Sequence, residues 1–396
     1  MTTYNLNQTG IESLINSPRN INRVPNPTEI IEEKTFESVF GQHCDAGSFG
    51  TITQSPNGGV RKVLAFCQTP LVDLPGIHQN VKISHFNDKN YKLKKDDLSL
   101  EFTLSEPNHL HVVGGIMEGV ILRSLQGIEG VVSYRDRTFT VIDGYIFMST
   151  EMDKAPGKTT SELVQEQITL ESALNISYNA ALTLQQVHDY DIIHGDITPQ
   201  NIMSDGQKTT ITDFGNSQVV GLEMYFGLSY REANEKSFVV KFANDLPKIG
   251  TPAYFAPETF FEGTSISGDV FSMTTTTLYL TTGMLVAREI AEEGWSPKIY
   301  TATKEKMIEN HVPKPVRQAI LFNLAVNPNK RDLDMLISAL GTSLGAELPA
   351  GVRAYSCPPV YAQTQSPIVS MDYLQQFGEA KTELLSGEEP KSKILQ

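Results

Sequence analysis

Cysteine is scarce in this 396-residue sequence, tryptophan scarcer still, and basic charge falls well short of acidic. The three cysteines, Cys44, Cys67 and Cys357, are an odd number, far apart and without metal-ligand spacing. That argues against a disulfide framework and for a reducing compartment. With 32 basic against 46 acidic residues the formal charge is -14. Such an acidic balance argues against a nucleic-acid binder held by phosphate contacts. A nucleotide remains an acceptable ligand, because a divalent cation and one lysine can neutralise it locally. No uninterrupted apolar run approaches the ~20 residues of a membrane span. The first residues, Met1-Thr2-Thr3-Tyr4-Asn5, show no basic region followed by an apolar core. The expectation is a soluble, cytoplasmic protein.

What is present is enough apolar sequence for a sizeable core, with 40% hydrophobic and 20% charged residues. It also contains a concentrated stretch of chemistry. An apolar helical run from Leu170 to His188 delivers His194-Gly195-Asp196-Ile197-Thr198-Pro199-Gln200-Asn201, and Thr212-Asp213-Phe214-Gly215 follows. Two carboxylates and an amide on loops beside short strands suit metal-nucleotide phosphotransfer: one group takes or orients a hydroxyl proton, and two hold a cation against phosphates. The His-x-Asp, Asn and Asp-Phe-Gly pattern resembles the catalytic and metal-binding loops of eukaryotic-type serine/threonine protein kinases. The resemblance implies an α+β, bilobal protein-kinase-like fold, with a small β-rich N-lobe carrying one regulatory helix and a larger, mainly helical C-lobe.

Upstream, a strand-like segment at Phe36–Phe40 leads into Gly47-Ser48-Phe49-Gly50-Thr51-Ile52. Small residues let backbone amides approach phosphate oxygens, and the stretch resembles the kinase Gly-rich loop, with Asp45 where the first glycine usually stands. An ordinary hairpin is the alternative. The turn Ser55-Pro56-Asn57-Gly58-Gly59 predicts a returning strand at Val60–Leu64, and Lys62 on it resembles the lysine that pairs with the α- and β-phosphates. Arg61 is expected on the opposite face. Residues 66–112 read as an insertion, with a mixed-charge loop and an extra strand at Leu98–Leu104. Apolar residues at 117, 121, 122 and 125 predict a helix, whose Glu118 resembles the glutamate that ion-pairs with the strand lysine; a surface glutamate is the alternative. Strands are expected at Gly130–Tyr134 and Gly144–Met152. The second resembles the one ending at the adenine-binding linker, with Thr150 guarding the back pocket and Glu151 and Met152 forming the linker.

In the large lobe, Gly250-Thr251-Pro252-Ala253-Tyr254-Phe255-Ala256-Pro257-Glu258 is similar to the segment that supports the peptide substrate of serine/threonine kinases. Ser267-Gly268-Asp269 resembles the start of the helix bracing the catalytic loop, and Asn327-Pro328-Asn329-Lys330-Arg331 the segment whose arginine pairs with Glu258. The resemblance implies catalytic roles for Asp196, Lys62, Glu118, Thr198 and Thr251. It implies nucleotide contacts from Gly47, Ser48, Phe49, Gly50, Ile52, Lys62, Thr150, Glu151 and Met152, and metal ligation by Asn201 and Asp213. His194 reads as structural. Two departures remove positive charge. Gly195 replaces an arginine that receives an activation-loop phosphate, implying activity independent of that switch. Thr198 replaces the lysine near the γ-phosphate, where losing one charge-assisted contact costs ~1.5–3 kcal/mol.

The implied domain order is an N-terminal extension (1–34), an N-lobe (35–152), a C-lobe (153–342) and a tail (343–396), with a short helix at Ser370–Leu385. Residues 216–249 read as an enlarged activation loop. ATP, Mg2+ or Mn2+ and a protein substrate are the implied cofactors and partners, without nucleic acid. A small-molecule phosphotransferase shares the His-Gly-Asp loop but lacks the Gly-Thr-Pro-x-Tyr-x-Ala-Pro-Glu segment; a pseudokinase finds support only in Asp45 and Thr198. The acidic end with a hydrophobic terminus resembles secretion signals of some bacterial effectors, and an ordinary frayed tail is the alternative.

Overall fold

The computed structural model describes residues 32–47, 50–68, 81–83, 98–103, 118–142, 145–220, 226–231, 235–240, 251–259, 263–324, 327–349 and 352. All belong to one compact unit, Pro25–Tyr361. Ser48, Phe49, the tail helix, the mixed-charge loop and most of the N-terminal extension lie outside the described residues.

Phe36–Phe40 is helical, not extended: α1 spans Glu33–Phe40. Phe36 and Phe40 stand one turn apart, both buried, with ring centroids 5.1 Å from each other. Phe40 also packs on Phe147 at 5.7 Å. The i,i+4 aromatic pair is the helical signal that a strand reading of this short apolar run overlooks.

The small lobe is a five-stranded antiparallel sheet. Its strands are β1 (His43–Gly47), β2 (Gly50–Gln54), β3 (Val60–Gln68), β6 (Tyr134–Ile142) and β7 (Tyr145–Met152), in the order β1-β2-β3-β7-β6. The Ser55–Gly59 turn closes β2 on β3, with Ser55 N–H donating to Gly59 O at 2.9 Å. Gly50 serves packing as well as the loop: at φ +142° an added Cβ would lie 2.6 Å from Val63 O. The strand expected at Gly130 starts only at Tyr134, because Val131 makes an isolated bridge to Ile211 in the large lobe. Residues 118–124 form α2, whose Ile121, Leu122 and Leu125 neighbours are fully buried.

The segments read as the insertion and the enlarged activation loop pair with each other. β4 (Val81–Ile83) and β5 (Leu98–Thr103) come from the first, β13 (Phe226–Arg231) and β14 (Glu235–Val240) from the second. They form one sheet in the order β13-β14-β5-β4, with Ser237 opposite Thr103 and Val239 opposite Glu101.

The large lobe is helical: α3 (Thr160–Gln165), α4 (Leu170–Asp189), α5 (Ile266–Thr282), α6 (Ala287–Glu293), α7 (Pro297–Glu309), α8 (Lys314–Asn323) and α9 (Leu333–Leu344). Side chains fix several helix starts. Thr159 and Glu162 make a capping box, and Thr169, Ser265, Ser296 and Asp332 each accept an orphan N–H. α5 is buried nearly all round, four consecutive threonines included. Three of them hide their hydroxyls by donating to the carbonyl one turn back: Thr274 to Val270 O, Thr275 to Phe271 O and Thr277 to Met273 O. Thr276 instead reaches Ile197 O in the His194–Asn201 loop at 3.4 Å. α5 is thus the post against which that loop is set.

Candidate active site

Short strands carry the loops. β9 (Ile192–Ile193) precedes His194, β10 (Ile202–Ser204) follows Asn201, and β11 (Thr209–Ile211) leads to Asp213; β8 (Lys158–Thr159) pairs with β10, and β12 (Gln218–Val219) with β9. Asp269, at the start of α5, holds the first loop by its backbone. His194 N–H and Gly195 N–H donate to its Oδ2 and Oδ1 at 2.7 and 2.9 Å, and His188 Nε2 lies 3.0 Å from Oδ2. The motif pointed to Asp269. His188 was seen only as the end of an apolar helix, and one ring nitrogen within reach of a buried carboxylate gives no sequence signal.

His194 is fully buried and edge-on to Phe214, 4.7 Å between centroids. Asp196 N–H donates to its Nδ1 at 3.2 Å, so the Nε2 facing Thr212 O at 3.1 Å is the N–H that donates. Both ring nitrogens are engaged by the backbone.

Asp196 is buried, 7% exposed, and its carboxylate is held from several segments. Thr251 N–H donates to Oδ1 at 3.0 Å. Asn201 Nδ2 donates to Oδ2 at 3.2 Å and to Asp196 O at 2.9 Å. Asn216, which the sequence reading missed, donates to Oδ2 at 3.3 Å. Burial, and next the Asp213 carboxylate, push the Asp196 pKa above the ordinary aspartate value, against the Thr251 hydrogen bond.

Lys62 joins the lobes. Its Nζ lies 3.1 Å from Glu118 Oε1 and 2.5 Å from Asp213 Oδ1. Burial would lower its pKa, but Asp213 and Glu118 outweigh that and hold the ammonium charged. Burial would raise Asp213, and Lys62 outweighs it, so this carboxylate sits below its usual range. Glu118 is moved the other way, upward, because burial exceeds the opposing pull of Lys62. Asp213 occupies the left-handed region, φ 59° and ψ 72°, and accepts Gly215 N–H on Oδ1 at 3.3 Å. Strain of ~1–3 kcal/mol at a non-glycine residue there is the kind retained where it aims a side chain.

The sheet register puts three nucleotide candidates on one face. Ile52 is opposite Lys62, and Lys62 opposite Thr150. Directly opposed residues of an antiparallel pair share a face, so the row looks toward Glu118. Arg61 and Glu151 form the corresponding pair on the other face and are ion-paired at 3.3 Å. Ser55 also donates to Glu151. Glu151 and Met152 therefore still belong to β7, in register with β3 and β6, and the linker begins at Asp153. Gly47 pairs with Gly50 across the loop that holds Ser48 and Phe49. Thr198 is 1% exposed, and its Oγ1 has no hydrogen-bond partner among the described residues.

The donors suit a hard cation. Asn201 commits its Nδ2 to Asp196, which turns its carbonyl oxygen elsewhere, and the contacts of Asp213 described above fall on Oδ1. Carboxylate and amide oxygens are what Mg2+ accepts, with phosphates and waters completing the shell. Among the described residues no cluster of three or more His, Cys, Asp or Glu could hold a metal alone.

Below the site Arg331 grips Glu258 in a fork: Nη1 donates to Oε1, and Nη2 to Oε2 at 3.0 Å. The guanidinium also donates to Ser267 O at 3.1 Å and stacks 4.8 Å over Phe271. Glu258 ends the Thr251 segment, so this pair secures the stretch that reaches Asp196.

The family model "Protein kinase domain" matches residues 111–334, and the chain belongs to that family. The match begins after β1–β3, so the place of Lys62 rests on its contacts. The chain is similar to the serine/threonine-protein kinase PknA of Nostoc, 34% identical over 31% of this chain and 20% of the relative. It is similar to mitogen-activated protein kinase kinase kinase 2 of Arabidopsis thaliana, 23% identical over 74% of this chain and 38% of the relative. It also resembles the serine/threonine-protein kinase PKH1 of Saccharomyces cerevisiae, 23% identical over 46% and 23% of the two chains. The chain thus spans two fifths or less of these curated relatives' lengths. Among the described residues no helix is long and apolar enough to cross a membrane.

Proposed function

We propose that this protein is an ATP- and Mg2+-dependent kinase that phosphorylates serine or threonine hydroxyls of a protein substrate. The observation that carries the reading is the 3.0 Å hydrogen bond from Thr251 N–H to Asp196 Oδ1. It ties the Gly-Thr-Pro segment, absent from small-molecule phosphotransferases of the His-Gly-Asp kind, to the group that would handle the acceptor hydroxyl.

In this reading Asp196 orients the acceptor hydroxyl and takes its proton as the oxygen attacks the γ-phosphorus of ATP, whose bond to the β,γ-bridging oxygen breaks to release ADP. Lys62, kept charged and directed by Glu118, holds the α- and β-phosphates. Asn201 and Asp213 hold Mg2+, which when bound neutralises charge on the phosphates. Gly47, Ser48, Phe49 and Gly50 cover the phosphates, while Ile52 and Thr150 face the adenine and Met152 ends the strand beside it; Glu151, expected among these contacts, instead turns to Arg61 on the other face. Thr198 stands where other members offer a lysine to the γ-phosphate, and its hydroxyl is buried without a partner among the described residues. No cation is supplied from that position, so turnover slower than the family norm is expected.

The test is transfer of radiolabelled phosphate from ATP to a generic protein acceptor, with phosphoamino-acid analysis. Phosphoserine or phosphothreonine formed by the wild type and not by Asp196→Ala supports the reading. Transfer only to a small alcohol, or none with either Mg2+ or Mn2+, overturns it.

A further inference from the structure

The loop carrying Asp196 and the turn after Asp213 are packed backbone against backbone. Ser217 Oγ donates to His194 O at 2.9 Å, and Gln218 pairs with Ile193, Val219 with Ile192. Between these contacts Gly195 sits at φ +79°, and a Cβ built there would lie 2.7 Å from Asn216 O. No side chain fits at 195 while residue 216 stays where it is. The glycine that replaces the usual arginine is therefore a space left for Asn216, not only a lost charge.

Asn216 uses that approach. The 3₁₀ turn Phe214–Asn216, capped by Asp213, presents its amide to Asp196 Oδ2 at 3.3 Å. A carboxylate can only accept, so it is the Nδ2 that faces it. Thr251 holds Oδ1 from one side, and Asn201 and Asn216 hold Oδ2. A planar carboxylate with donors on both oxygens cannot turn about its Cβ–Cγ bond without breaking at least one of them. Asn216 is the donor that comes with the Asp213-Phe214-Gly215 turn, so it couples the base to the metal-binding turn.

We infer that Asn216 is a positioning residue for Asp196, fixing the carboxylate for the acceptor hydroxyl, and that Gly195 is the residue which makes room for it. The inference rests on the proposed role of Asp196. It offers a built-in reason for activity without an activation-loop phosphate: the loop is braced by a neutral amide already in place.

The test is steady-state kinetics of the full chain and its Asn216→Ala and Asn216→Asp variants, with melting temperatures alongside. Asn216→Ala should lower kcat about tenfold, the size expected on losing one hydrogen bond to a charged group. KM for ATP should stay within about twofold and the melting temperature should be unchanged, because the amide bonds to Asp196 and not to a residue assigned to the nucleotide. Asn216→Asp keeps the shape and replaces the donor with an acceptor, so it should lose more than alanine does. Variants that turn over like the wild type overturn the inference alone, as does a loss seen wholly in KM for ATP or matched by a lower melting temperature. A wild type that is inert toward every protein acceptor overturns the kinase reading, and the inference with it.

Discussion

Lys62 Nζ stands 3.1 Å from Glu118 Oε1, a contact between β3 and α2 that excludes water on both sides, the two residues being 5% and 1% exposed. Removing one member of a buried pair leaves the other uncompensated, at about 3–5 kcal/mol. Here Asp213 shares Lys62 and softens that cost. Glu118→Ala should therefore still fold, with a melting temperature several degrees lower, while phosphotransfer falls at least about tenfold as Lys62 settles on Asp213. Calorimetry with a radiolabel assay checks both, and an unchanged rate would remove Glu118 from the machinery.

Asp213→Ala should abolish phosphotransfer and leave the fold. Its side chain is 28% exposed, and Glu118 remains as a partner for Lys62 when it is removed. Circular dichroism matching the wild type, with no transfer at any Mg2+ concentration, is the expected pair of results.

Arg331→Ala should destabilise by about 3–5 kcal/mol, because Glu258 would be left buried and alone. Arg331→Lys should rescue little, since one ammonium replaces neither the fork on Glu258 nor the stacking on Phe271. Urea unfolding of the single and double variants measures the coupling, and additive effects of Arg331→Ala and Glu258→Ala would contradict it.

The upward shift of Asp196 sets a pH dependence. A base whose pKa is raised becomes protonated, and so inactive, at a higher pH than an ordinary aspartate would as the solution is acidified. The acid limb of kcat should thus fall above the ordinary aspartate range. A limb lying at or below about 3.9, the unperturbed value, would contradict the burial-driven shift.

β14 lies between β13 and β5, so a proline within it removes a ladder hydrogen bond from an interior strand. Phe238→Pro should speed amide exchange in residues 98–103, although the change is in the activation loop. Exchange measured by mass spectrometry that is unaltered there would deny the shared sheet.

Much of the site was legible because its chemistry dictates residue identity in short contiguous stretches. His194–Asn201, Asp213 and Thr251 could be read without knowing the fold, and so could the Glu258–Arg331 and Asp269 supports. Where only apolar pattern was available the reading slipped. The apolar run Phe36–Phe40 reads as strand although its two phenylalanines stand one helical turn apart, and Val131 reads as strand although its partner is Ile211 in the other lobe. Asn216 left a faint trace in the sequence, a glycine where the family carries arginine. Its meaning needs the 2.7 Å approach between two loops that the sequence separates by a strand pair.

By itself the sequence singled out the candidate groups: which carboxylates, which amide, which lysine, and the turn residues that close β2 on β3. These are local, since side-chain identity and short spacing are enough to specify them. The tertiary structure alone decided which distant segments meet. It set Lys62 between Glu118 and Asp213, gave Asp196 its third donor, and paired β5 of the insertion with β14 of the activation loop. Long-range pairing follows from closing large loops around a common core, and its energy resides in contacts that no single stretch of sequence contains.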